Sequence, residues 1–133
     1  MMRRIWLIGA VALGLVLGGH LGFVGAQDQA EPKKLNPFTG KSEAIKEGRQ
    51  LYFLYGCNGC HGGTGGGGIG RPVIDDEWTF GSDDETLFKL VRGQIPEQTM
   101  PTGFGKVMKE EETWKILAYI RSLYKGDPSL VNW

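Results

Sequence analysis

Hydrophobic and polar positions divide the chain into one uninterrupted apolar run near its start and three amphipathic stretches further on. Residues 5–19 carry no charge at all. From Ser42 the spacing turns helical: Ile45, Gly48, Tyr52 and Tyr55 recur three or four positions apart and share a face. Ser42 is placed to cap this stretch and Glu43 sits in its first turn, predicting a helix over residues 42–55. Gly48 in mid-helix costs about 1 kcal/mol relative to alanine, for which close approach of a second helix is the usual reason. A second helix is predicted to begin at Ser82, with Ser82 and Glu85 as a capping box and Asp83 and Asp84 at its positive end. It turns Leu87, Phe88, Leu90 and Val91 inward and stops at Gly93. The last helix is predicted over residues 109–125. Glu110, Glu111 and Glu112 open it, Ile116, Leu117, Ile120, Leu123 and Tyr124 form its stripe, and Gly126 closes it. Two stretches resist regular structure: residues 56–70, where nine of fifteen positions are glycine, and residues 94–107, with Pro96 and Pro101. No alternating stretch of useful length and no internal repeat intervenes. The predicted fold class is all-α.

The apolar run has the layout of an export signal. Arg3 and Arg4 give it a positive start, and Val24-Gly25-Ala26 supplies the small residues that precede a cut between Ala26 and Gln27. An uncleaved anchor is the rival, because residues 5–24 number 20 and about 20 residues cross a bilayer. His20 and five glycines (Gly9, Gly14, Gly18, Gly19, Gly22) make a poor permanent span. The organisation read here is a signal peptide over residues 1–26, an extended arm over 27–41, one domain over 42–126 and a tail over 127–133. A periplasmic location follows, with membrane attachment only if the signal stays uncleaved. At 133 residues and 41% hydrophobic, the chain has room and material for one core. Lys and Arg total 15, as do Asp and Glu, so the cation surplus of a nucleic-acid binder is missing. Without Arg3 and Arg4 the balance is 13 basic to 15 acidic, a net of −2.

Only two cysteines occur, which excludes a disulfide scaffold and a four-cysteine zinc module. They fall in Cys57-Asn58-Gly59-Cys60-His61, the C-x-x-C-H attachment signature of a c-type haem. Two thiols about one turn apart can add to the two vinyl groups on one porphyrin edge, and the next residue brings an imidazole to the iron. A thioredoxin-like pair needs a βαβ context, which is missing. A zinc site needs three or four ligands, and a disulfide closing so small a loop would stabilise little. His61 is the only histidine beyond the signal segment, so the second axial ligand is expected to be a methionine. Met100 and Met108 remain after cleavage. Met100 lies in a loop 39 residues after His61, ahead of Pro101, whereas Met108 precedes the acidic helix start and reads as a staple residue. Met100 is the ligand expected.

On these residues the chain resembles the class I (monohaem) cytochromes c, over nearly the whole mature region. The matching stretches are the first helix with Gly48 and Tyr52, the Cys57 to His61 motif, Thr99-Met100-Pro101, and Ile116-Leu117-Ala118-Tyr119-Ile120. The resemblance implies a small cytochrome c fold of three to four helices around one covalently bound haem, with the glycine-rich loop at the haem edge. It also implies a close crossing of the first and last helices, placing Gly48 against residues 116–120. Gly66-Gly67-Gly68-Ile69-Gly70, Asp75-Asp76-Glu77-Trp78 and Tyr119-Ile120-Arg121-Ser122-Leu123 are similar to small cytochromes that serve periplasmic quinoprotein (PQQ) dehydrogenases, and to cytochrome domains of cbb3-type oxidases. Many members have Gly-Pro-x-Leu after the haem motif, where the proline carbonyl accepts the imidazole proton. Here Gly70-Arg71-Pro72-Val73 stands, with Arg71 in place of that proline, and its main-chain carbonyl can serve as the acceptor.

Other features yield to plainer readings. Gly65, Gly67 and Gly70 fit G-x-G-x-x-G but follow no strand and open no helix. Asp75, Asp76 and Glu77 read as a solvated turn. Trp78, Arg71 and Arg92 are candidate donors to a haem propionate, with core packing the equal alternative for Trp78. The function expected is a one-electron shuttle, not an enzyme, with a quinoprotein alcohol dehydrogenase as donor and a terminal oxidase as acceptor. The rivals are a haem enzyme or gas-binding module, which need an open sixth position that Met100 argues against, and a carrier of another respiratory chain, serving a nitrite reductase or oxidase.

Overall fold

Two helices cross at the centre of the structure, α1 (Ser42–Leu54) and α5 (Glu110–Leu123). Their backbones touch at Gly48, where a Cβ would lie 1.9 Å from the Lys115 carbonyl oxygen and 3.1 Å from the Tyr119 Cβ. No side chain fits there, which accounts for a glycine in mid-helix. One turn later Tyr52 is fully buried and packs edge-on against Tyr119, ring centroids 5.4 Å apart. The contact thus begins one residue ahead of the segment the resemblance implies. The structure is a computed structural model and describes residues 33–130, all within the unit Glu31–Trp133. The expected signal peptide lies outside the described residues.

α5 is buried almost all round, from Thr113 and Trp114 to Arg121, which is wider than a single stripe because α1 and α3 (Asp84–Val91) both pack on it. It ends at Leu123, short of the expected Lys125. Tyr124 leaves helical geometry there because its hydroxyl is held by Asp76, and the Lys125 amide donates to the Ile74 carbonyl at 3.0 Å. α3 starts later than expected. Asp83, not Ser82, is the cap, accepting from the Thr86 amide at 3.0 Å, while the Ser82 carbonyl accepts from the Arg121 guanidinium. Glu85 pairs with Lys89 and takes no part in a capping box. At α1 the cap is Lys41, whose carbonyl receives the first helical bond from Ile45, and Ser42 is already helical.

The hydrophobic pattern missed two single-turn helices. α2 (Cys57–His61) sits inside the glycine-rich stretch, and α4 (Phe104–Val107) inside the proline-containing loop. α2 forms because glycine interrupts it only at Gly59, and Gly56, with φ of 74°, turns the chain sharply out of α1 into it. Among the described residues there are five α-helices, one 3₁₀ turn (Pro128–Leu130) and no strand. None of those helices is long and apolar enough to cross a membrane. The expected N-terminal arm is bound where it is described: the Asn36 amide donates to Asp84 at 2.8 Å, and its side chain donates to the Trp114 carbonyl at 2.9 Å.

Candidate functional site

The glycine-rich loop wraps around α2 and fixes its last residue. The Gly67 amide donates to the His61 carbonyl at 2.9 Å and the Gly70 amide to the Cys60 carbonyl at 3.0 Å. Gly70 lies so close that a Cβ there would stand 2.9 Å from the His61 Cε1. The loop then presents the Arg71 carbonyl 2.7 Å from the His61 Nδ1. With the proton on Nδ1, that nitrogen donates to the carbonyl and Nε2 keeps a lone pair for a metal. The acceptor is therefore main chain, although the position lacks the usual proline. From the other side, the Tyr52 hydroxyl donates to the Gly62 carbonyl at 2.7 Å, tying α2 to the helix crossing. Burial, helped by the nearby Cys57 and Tyr119, pushes the Tyr52 pKa up to about 12.

A cavity of about 470 Å³ opens beside α2. It brings together Cys60, His61, Arg71, Trp78 and Met100, five of the six residues singled out from the sequence. Cys57 is not in its wall: it is 8% exposed and belongs to the core cluster, and burial pushes its thiol pKa up. The remaining lining is largely apolar, including Ile69, Val73, Leu87 and Leu90. Arg71 forms an exposed ion pair with Glu77 at the rim. Arg92 does not reach the cavity. Its guanidinium instead donates to the carbonyls of Gly105 at 2.9 Å and Met108 at 3.2 Å. Met108 is 4% exposed and lies in the core, away from the lining.

These residues fit a haem. The cavity is apolar with a few polar groups, as a macrocycle requires. A thioether and an imidazole whose Nδ1 is engaged by the Arg71 carbonyl border it. Most telling is Trp78, which lines the cavity with its indole Nε1 buried and without a hydrogen-bond partner in the protein. A buried orphan donor is costly, and an acidic substituent of the bound group would satisfy it.

Sequence reasoning missed Gln98. Its side-chain amide donates to the Leu90 carbonyl and to that of Met100, each at 2.9 Å. Nothing in residue type or spacing marks it, since the contact depends on how the loop folds back on α3. It also missed the buried pair of Asp84 and Arg121, at 2.7 Å. Asp84 read as an ordinary helix-start carboxylate.

Residues 43–120 match the family described as cytochrome C oxidase, cbb3-type, subunit III. Among solved structures the chain is similar to cytochrome cL from the marine methylotrophic bacterium Methylophaga aminisulfidivorans. Identity is 30%, with a TM-score of 0.64, over 72% of this chain and 66% of that one. It is also similar to cytochrome cL from Hyphomicrobium denitrificans, at 27% identity and the same TM-score of 0.64, over 71% of this chain and 56% of that one. The chain thus spans less than two thirds of the length of either. No curated protein matches significantly.

Proposed function

Since the chain belongs to the cytochrome c family described as cbb3-type cytochrome C oxidase subunit III, and so carries one covalently bound haem c, we propose that it is a periplasmic one-electron carrier with His61 and Met100 as axial ligands. The observation that carries this reading is that His61 and Met100 border one cavity while Met108 is packed in the core. When bound, the haem supplies a ferric–ferrous couple. Cys57 and Cys60, about one turn of α2 apart, would hold it through thioether links, Cys60 from the cavity wall and Cys57 from its core position. His61 donates through Nε2, and the Arg71 carbonyl keeps the proton on Nδ1, which fixes the ring and raises its basicity. Met100 would be the residue that closes the haem iron to small ligands and raises its potential, which suits passing electrons and not chemistry on a substrate. Trp78 and the rim cation Arg71 serve the propionates. The apolar lining excludes water, which keeps the surroundings of the couple fixed as its charge changes.

The donor proposed is a quinoprotein alcohol dehydrogenase and the acceptor a terminal oxidase. Likeness to a cytochrome cL from a methylotroph supports the first, and the cbb3-oxidase family the second. Docking is brief, through a small interface whose charge complementarity sets on-rate and salt dependence.

Absorption spectroscopy of the purified ferric protein tests the ligand set. The wild type is expected to be low-spin with the weak far-red sulfur-to-iron band, Met100→Ala to lose that band, and Met108→Ala to keep it. The reverse pattern would transfer the ligand role to Met108, and a high-spin protein that binds carbon monoxide would favour an enzyme or sensor. Stopped-flow reduction by candidate dehydrogenases tests the donor.

A further inference from the structure

We propose that the Gln98 side chain is the positioning residue that holds Met100 at the cavity. The inference rests on the reading of Met100 as a ligand and extends it to the group that keeps the ligand in place.

The loop between α3 and α5 is secured at both ends by close packing. At its start, Gly93 adopts φ of 72° and lies so near the returning strand of the loop that a Cβ would meet the Thr102 Cα at 2.6 Å. At its end, Arg92 grips the carbonyls of Gly105 and Met108. Between these anchors the stretch carrying Met100 is spanned by one amide. The Gln98 Nε2 donates to the Leu90 carbonyl in the last turn of α3 and to the Met100 carbonyl, while its Oε1 accepts from the Ile95 amide at 3.1 Å. All of the amide's hydrogen atoms and its oxygen are used. The two facing carbonyls fix which end carries the NH₂, because the oxygen end would be repelled by both. Glu97, just before it, has φ of 60°, a left-handed conformation disfavoured for a non-glycine residue. That turn directs the next side chain inward to the helix end.

Leu90 itself lines the cavity, as does Met100. The amide therefore ties the main chain of the ligand residue to a rigid wall of the site it serves. A thioether is a neutral, weak ligand, so its occupancy depends on how rarely the loop swings away. A competing ligand binds in proportion to that open fraction. Removing two hydrogen bonds that hold the closed loop raises the open fraction by about tenfold.

The test uses the haem-loaded protein and two variants, Gln98→Leu and Gln98→Glu. Leucine keeps the bulk but loses both the donor and the acceptor of the Ile95 amide, and glutamate keeps the shape and that acceptor but turns a carboxylate toward two carbonyls. Ferric protein is titrated with imidazole while the sulfur-to-iron band is followed. Both variants are expected to retain the band without imidazole and to bind imidazole about tenfold more tightly than wild type, with glutamate the stronger effect. Imidazole titrations matching wild type in both variants would overturn the proposal. So would loss of far-UV helical signal in both, because Gln98 would then be a general prop and not a local one. If Met100→Ala retains the band, the ligand reading itself has failed, which the Gln98 variants alone would not report.

Discussion

Gly70 and Arg71 adjoin in the chain yet act on His61 through different atoms, so they answer differently to substitution. A methyl group at Gly70 would stand 2.9 Å from the His61 Cε1 and 3.1 Å from Nδ1, closer than packing allows. Gly70→Ala is expected to tilt the ring from the Arg71 carbonyl, weaken it as a donor and raise the reduction potential by about 59 mV, a tenfold change in a one-electron couple. Arg71→Ala keeps the carbonyl and is expected to leave the potential near wild type, apart from the loss of one rim charge. Protein-film voltammetry separates the two. The C-x-x-C-H motif and Met100 were legible as residues, because their chemistry is local to a few side chains. That Arg71 supplies the acceptor required the loop's path, and so did Gln98.

At the scale of elements, the crossing of α1 and α5 is the contact on which the haem turn is mounted. Gly48→Ala would set a methyl 1.9 Å from the Lys115 carbonyl, and that atom is backbone that cannot turn aside. The helices must separate, with an expected loss of about 3 kcal/mol, read by guanidinium unfolding with the haem attached. The second joint is between α3 and α5. Arg121 donates to Asp84 through Nε at 3.1 Å and Nη2 at 2.7 Å, with both side chains about 5% exposed. Asp84→Asn removes the charge partner of a buried guanidinium and is expected to cost about 3–5 kcal/mol by the same unfolding measurement. The existence and type of α1, α3 and α5 were legible from the three- and four-residue spacing, whereas the single-turn α2 and α4 carry too few residues to show a period. Helix ends were not: Lys41 caps α1 through a main-chain bond, Tyr124 is held by Asp76 far back in the chain, and Arg121 takes the Ser82 carbonyl while the neighbouring Asp83 caps α3.

For the molecule as a whole, carboxylates at helix starts are expected to contribute to the acid limb of stability. Burial pushes the Asp83 carboxyl up, but bonds from Thr86 and the Lys33 ammonium outweigh it, and its pKa lies below the ordinary value. The Lys109 amide, against a smaller opposing effect of burial, does the same for Glu112, and Lys89 for Glu85. A depressed carboxylate stabilises the fold fully above its unfolded pKa and loses that contribution as pH falls through its folded value. Unfolding midpoints are therefore expected to stay level near neutrality and fall below about pH 4. Asp83→Asn and Glu112→Gln should flatten that fall.

The amino-acid order alone determined the helical class, the covalent haem attachment and the methionine in a loop. Each of these is written in spacing along the chain or in the reactivity of neighbouring side chains. Only the tertiary structure decided that α5 is buried on nearly every side, that Cys57 turns into the core while Cys60 faces the cavity, and that the Trp78 indole waits without a partner. It also decided that Arg92 serves the loop instead of the cavity. These depend on distances between residues far apart in the chain. Local preference cannot encode them, because they are fixed when the elements pack against one another and each buried polar group must find its partner.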